Sequence, residues 1–251
     1  MPYGSLIICA TPRTGSTLLC DLLKGTGVAG RPNAFYRRQS MPDFARQFGV
    51  SMPNGDLTSD RAYLAAALRE GTGDTGTFGF RLMWPTVPEL SVTLDRLYPG
   101  LPDDVTRFER AFGSGLYIHL SRQDRVAQAV SRLKAEQSGL WHVDADGTER
   151  ERTMPPRPPS YDAEGIADYI AETEAHEVAW ADWFARNDIA PFEITYETLS
   201  ADPQSVLAGL LAALGRDPAA ADKVEVRTAR LADAKSRAWA ERFRQTVETP
   251  S

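Results

Sequence analysis

Cysteine is nearly absent: Cys9 and Cys20 are the only two in 251 residues. Their placement fits neither a disulfide framework nor a zinc motif. We expect two buried, reduced thiols in a cytoplasmic protein. Histidine is scarce too, with three, and no group of His, Cys, Asp and Glu has metal-ligand spacing, so no metal is expected. Positive charge is not in excess: 28 Lys and Arg against 34 Asp and Glu leave a formal net charge of −6. That balance argues against a nucleic-acid polymer as main partner, since binding a phosphate backbone needs a basic face. A small anionic ligand needs only a local cluster of donors and stays open. No apolar run is long enough for a transmembrane helix. The opening MPYGSLIICA has no basic segment before its short apolar stretch, so no signal peptide is expected. No internal repeat is visible.

Hydrophobic residues at 42% and charged residues at 25% are ordinary for a globular protein. The length suits one α/β domain over residues 1–251. Ser5–Ala10 (SLIICA) reads as a buried strand, Thr11–Ser16 as a loop, and Thr17–Lys24 as a helix stopped by Gly25 and Gly27. Further strands are expected at Thr77–Met83, Leu116–Leu120 and Phe192–Tyr196. Helices are expected at Arg61–Arg69, Asp124–Gln137, Asp162–Arg186, Pro203–Leu214 and Ala232–Thr246. On Asp162–Arg186 the residues Ile166, Tyr169, Ile170, Val178, Trp180 and Phe184 should face the core. Trp141–Tyr161, with Pro155, Pro156, Pro158 and Pro159, reads as a long loop. Alternating strands and helices predict a central parallel sheet with helices on both faces.

A tight turn from a buried strand into a helix aims backbone N–H groups at one point, and the helix dipole adds positive charge there. TPRTGSTLL supplies that turn, with Arg13 as a cation, Gly15 for close approach, and hydroxyls on Thr14, Ser16 and Thr17. The loop lacks the lysine of GxxxxGK[ST], which disfavours a P-loop kinase or NTPase. Gly25–Gly30 (GTGVAG) fits the dinucleotide pattern by letter. It follows a helix instead of a strand, so it reads as a helix stop and turn.

PRTGSTLL after a first strand resembles the 5′-phosphosulfate loop of sulfotransferases. LYIHLSR, ending on Arg122 and followed by Asp124 and QAVS to Ser131, resembles their 3′-phosphate motif. TGVAGRPNAFY, FGFRLMW (Phe78–Trp84) and RLADAKSRAWAERFR (Arg230–Arg244) are similar to segments of the bacterial trehalose 2-sulfotransferase family. The resemblance implies a P-loop-like sulfotransferase fold and a homodimer. It also implies 3′-phosphoadenosine 5′-phosphosulfate (PAPS) as co-substrate, and a carbohydrate or glycolipid acceptor. By position, Arg13, Thr14, Gly15, Ser16 and Thr17 would hold the phosphosulfate, Arg122 and Ser131 the 3′-phosphate, and Arg230 and Lys235 would close over the nucleotide. Arg13 and Arg81 would serve catalysis. Phe35, Trp84 and His142 would face the acceptor, with Trp84 either stacking on a sugar or packing in the core. The family's proton-accepting glutamate falls on Ala34, which cannot accept a proton. His119 inside a strand reads as core or second to the site, His176 as structural or exposed, and the base is left open. A nucleotide-binding protein without catalysis is the alternative that Ala34 raises.

Overall fold

The computed structural model describes residues 3–143, 147–225 and 234–248. The six residues of β1 (Ser5–Ala10) are all buried, as a central strand covered on both faces requires. After it come α1 (Ser16–Thr26), α2 (Met41–Phe48), α3 (Leu57–Thr72), β2 (Phe78–Met83), α4 (Val87–Leu97) and α5 (Asp104–Phe112). Then follow β3 (Gly115–Ser121), α6 (Arg125–Ser138), β4 (Leu140–Val143), β5 (Glu149–Arg152) and α7 (Ala163–Arg186). β6 (Phe192–Thr195), α8 (Tyr196–Ala201), α9 (Pro203–Ala213) and α10 (Ala234–Glu248) complete the order.

Four parallel strands form the sheet in the order β2-β1-β3-β6. Alternation along β1 sends Leu6, Ile8 and Ala10 to the face covered by α1 and α9, and Ile7 and Cys9 to the face covered by α3, α4, α5 and the end of α7. Arg81 pairs with Ile8 in register and so points to the α1 side. A third cluster joins Val130 and Leu133 of α6, Ile166 of α7, and Trp239 and Phe243 of α10. From β1 the chain crosses to β2 on one side and returns to β3 on the other. The crevice at the carboxyl ends of β1 and β3 is therefore the topological switch point, where open α/β sheets take ligands.

Several expectations need correction. Met41–Phe48, Val87–Leu97 and Asp104–Phe112 are helices that periodicity did not pick out. Their signals are at their starts: prolines in the first turn of α2 and α4, and Asp103 accepting from the Thr106 N–H at the start of α5. The long loop holds an antiparallel hairpin, β4 with β5. Val178 is 61% exposed, because the face of α7 that meets the core carries Trp180, Trp183 and Phe184. β6 stops at Thr195, and Tyr196 begins α8 under a Thr195–Thr198 capping box, which sets its ring against the loop after β1.

Candidate active site

Clamps from two helices hold the loop between β1 and α1. Trp180 Nε1 donates to the Ala10 carbonyl (3.1 Å). Gln128 Nε2 donates to Thr11 Oγ1 (3.0 Å) and to the Pro12 carbonyl (2.7 Å), and Thr11 Oγ1 donates to Glu177 Oε1 (2.9 Å). Two loop residues are left-handed, Arg13 at φ 68° and Gly15 at φ 82°. A Cβ on Gly15 would lie 2.8 Å from the Tyr196 ring. A non-glycine residue held at positive φ is strain of the kind that ligand-binding turns retain. Helix α1 has no side-chain cap and no acid in its first turn, whereas Asp56, Asp103, Asp124, Asp162, Thr195 and Asp202 cap other helices. Its first-turn N–H groups are thus left for an anion.

Arginines converge on that helix start. Arg13 donates through Nε to Ser131 Oγ (3.0 Å) and through Nη1 to the Trp141 carbonyl (2.6 Å). Arg122 Nη1 donates to the Arg13 carbonyl (3.2 Å), and its guanidinium lies 4.4 Å over the Tyr196 ring. Arg81 Nη1 donates to Thr17 Oγ1 (2.8 Å). Among the described residues none of these three arginines forms an ion pair, and the buried Nε atoms of Arg81 and Arg122 have no acceptor. Buried donors without partners are expensive, and an anionic ligand would satisfy them. Burial, then repulsion from Arg122, pulls the Arg13 pKa down to about 10, which still leaves it charged at neutral pH.

A cavity of about 840 Å³ opens here, large enough for a nucleotide and more. Arg13, Gly15, Ser16, Thr17, Arg81, Arg122, Ser131 and His142 all line it. Other expected residues are placed elsewhere. Thr14 is buried and spends its hydroxyl on the Thr11 carbonyl (2.9 Å). Phe35 is fully buried and stacks on Phe78, so it is core and not an acceptor contact. Trp84 is partly buried, packs edge-on against Trp180 (5.1 Å) and is not among the cavity-lining residues. Lys235 donates to the Pro159 carbonyl (2.8 Å) and sits over Trp239, outside the cavity lining. Arg230 lies outside the described residues.

Sequence reasoning missed Arg37, Arg132 and Tyr196, which line the cavity with Arg237 and Arg244 of α10. Arg132 follows Ser131 on α6, stacks on Tyr169 (4.4 Å), and keeps Nε and Nη1 without acceptors. Its adjacency to Ser131 was the one signal that could have found it.

What kind of anion such a cluster serves follows from kinship. Residues 5–246 match the Stf0 sulphotransferase family, and the chain belongs to it: it is a sulfotransferase. Two curated relatives bear the name trehalose 2-sulfotransferase. The one from Mycolicibacterium smegmatis is 30% identical over 264 residues, covering 96% of this chain and 95% of its own. The one from Mycobacterium tuberculosis is 28% identical over 266 residues, covering 97% and 94%. A sulfotransferase domain from a Synechococcus olefin synthase aligns over 100% of this chain and 90% of its own, at 18% identity and a TM-score of 0.41.

Proposed function

We propose that the protein transfers the sulfuryl group of PAPS to a carbohydrate hydroxyl, and that trehalose, the sugar in the relatives' name, is the first acceptor to try. The observation that carries this reading is the Arg13 Nε to Ser131 Oγ hydrogen bond, 3.0 Å long. It ties the helix-start anion site to Ser131, and Arg122 lines the same cavity. Two anion sites in one pocket suit a nucleotide with phosphates at both 5′ and 3′ positions. In this reading the first-turn N–H groups of α1, with Arg13, Gly15, Ser16 and Thr17, hold the phosphosulfate. Thr14 contributes backbone only. Arg122 and Ser131 hold the 3′-phosphate.

Sulfuryl transfer needs nucleophile, sulfur and leaving oxygen in line, with growing charge on the leaving oxygen neutralised by prearranged donors. Arg13 and the α1 start supply that charge, and Arg81 fixes Thr17 beside them. Among the described residues no helix is long and apolar enough to cross a membrane, and both cysteines are free and buried. We place the enzyme in the cytoplasm on that cysteine chemistry, and as a homodimer on its family likeness alone.

Calorimetry with adenosine 3′,5′-bisphosphate tests donor binding, which R122A should weaken sharply. Mass spectrometry of trehalose incubated with PAPS and enzyme tests transfer. No heat at millimolar bisphosphate would overturn the donor assignment. Binding without sulfation of trehalose, but with sulfation of another sugar, would move only the acceptor.

A further inference from the structure

A hydroxyl that attacks sulfur must lose its proton, and the segment of residues 31–37 (RPNAFYR) offers no group to take it. Ala34 lines the cavity with a methyl. The acids that line the same cavity are Asp124, Glu136, Glu172 and Glu241. All lie on or at the start of α6, α7 and α10, around Ser131 and Arg132 at the nucleotide end. Asp124 is taken up by the Ala127 N–H (2.9 Å) and Arg244 (2.7 Å), and Glu172 by Arg132 (2.9 Å). Beside Thr17 and Arg81, the lining offers one titratable proton acceptor among the described residues: His142, on β4.

We propose that His142 is the general base of the transfer, with Glu151 across the hairpin as its positioning residue. The assignment rests on the donor reading above. His142 Nε2 lies 3.1 Å from Thr17 Oγ1, the hydroxyl that already accepts from Arg81. In the tautomer with the ring proton on Nδ1, the Thr17 hydroxyl turns its own proton to Nε2, and Nε2 is the acceptor. Glu151 Oε2 stands 3.5 Å from Nε2, ready to face it once protonated. Glu151 itself cannot swing, because its Oε1 accepts from Arg37 Nη1 at 2.7 Å, and the Arg37 guanidinium lies 5.7 Å over Trp141.

The groups facing this imidazole are Arg13 from the loop, Arg81 from β2, and Glu151 and Arg150 from β5. Burial, then Arg13, holds the ring's pKa down to about 4, so it is neutral in the free protein. Burial works to raise the Glu151 pKa, but Arg37 outweighs it and keeps the carboxylate ionised. Anionic donor opposite Arg13 and Arg81 cancels their repulsion of a proton on His142. The base therefore strengthens when the donor arrives. In the step, the Thr17 hydroxyl has turned its proton from Nε2 to the bound phosphosulfate, and the acceptor oxygen bonds to sulfur as its proton passes to the freed Nε2. The bond from sulfur to the bridging oxygen breaks, and its electron pair leaves on the bisphosphate, facing Arg13. The imidazolium faces Glu151 and later returns its proton to solvent.

The test uses the full chain with PAPS and a sugar acceptor. H142A should lower kcat by about 10²–10⁴-fold, the usual worth of a general base, with adenosine 3′,5′-bisphosphate affinity unchanged. Its pH profile should lose the acidic limb, and free imidazole should restore turnover in part. E151Q keeps the Arg37 contact and should move that limb to lower pH with a smaller loss of kcat. By NMR, the His142 ring should titrate at higher pH when bisphosphate is bound. Normal kcat and an intact acidic limb in H142A would overturn the assignment and leave the donor reading standing. No bisphosphate binding and no turnover in the wild type would overturn both.

Discussion

Arg13 is held by three things at once: a left-handed backbone, the Ser131 hydroxyl and the Trp141 carbonyl. The guanidinium is thereby aimed before any ligand arrives, the preorganisation that stabilises charge growing in a transition state. R13A should lower kcat by about 10²–10³-fold, some 2.7–4 kcal/mol, like the loss of one oxyanion donor. R13K should recover little, since an ammonium cannot reach Ser131 and Trp141 together as the planar fork does. Gly15 is the second sensitive position. G15A puts a Cβ 2.8 Å from Tyr196 at φ 82°, and the left-handed backbone alone costs about 1–2 kcal/mol. A lowered Tm together with weaker bisphosphate binding is the expected result. These two residues were legible in the sequence because a strand–turn–helix motif fixes its own geometry. Arg37, Arg132 and Tyr196 were not, because folding brings them to the cavity from segments that share no motif. Phe35 misled for the opposite reason: an aromatic beside a motif can belong wholly to the core, as its full burial shows.

At the scale of elements, the loop between β1 and α1 owes its shape to α6 and α7. Gln128, 1% exposed, is the link, donating both to Thr11 and to the Pro12 carbonyl. Q128A leaves the buried Thr11 hydroxyl and the part-buried Pro12 carbonyl without that donor, at a cost of about 1–3 kcal/mol. It should reduce both Tm and bisphosphate affinity, although Gln128 is not part of the cavity lining. Strand β1, the α1 start and the long helix α7 could be read from runs and periodicity. Helices α2, α4 and α5 are short, and their prolines and Asp103 read as turn residues until the sheet supplies the face they cover. The β4–β5 hairpin was hidden among charges: ERER in β5 has no alternation of apolar with polar residues. Its order comes from pairing with β4 and from the Arg37–Glu151 contact.

For the whole molecule, ligand and proton both couple to folding. A bisphosphate that binds only the folded chain should raise stability by about 2.7 kcal/mol at a hundredfold excess over Kd. Thermal unfolding with and without ligand measures this. Removing α10 by truncation after residue 233 strips Trp239 and Phe243 from the cluster on α6, together with the lining residues Arg237 and Arg244. Donor affinity should fall along with Tm. His119 ties three elements together: from β3 it meets Glu193 of β6 (2.8 Å) and Glu177 of α7 (3.0 Å). Burial alone would lower its pKa, but the two carboxylates outweigh it and raise it above the ordinary value. The stabilisation is therefore full below the ordinary imidazole pKa of about 6.5 and is lost as pH rises through the elevated value. The Tm advantage of the wild type over H119Q should shrink as pH increases along that course.

Trp141 gives the site its own optical signal. Its indole has the Arg13 guanidinium 5.9 Å away and the Arg37 guanidinium 5.7 Å away, while Trp180, Trp183 and Trp239 are buried in cores and Trp84 leans on Trp180. Indole emission responds to nearby charge, so neutralising Arg13 with a bound anion should shift the fluorescence of this one ring. W141F keeps the backbone carbonyl that Arg13 uses, and it should silence the signal while bisphosphate still binds.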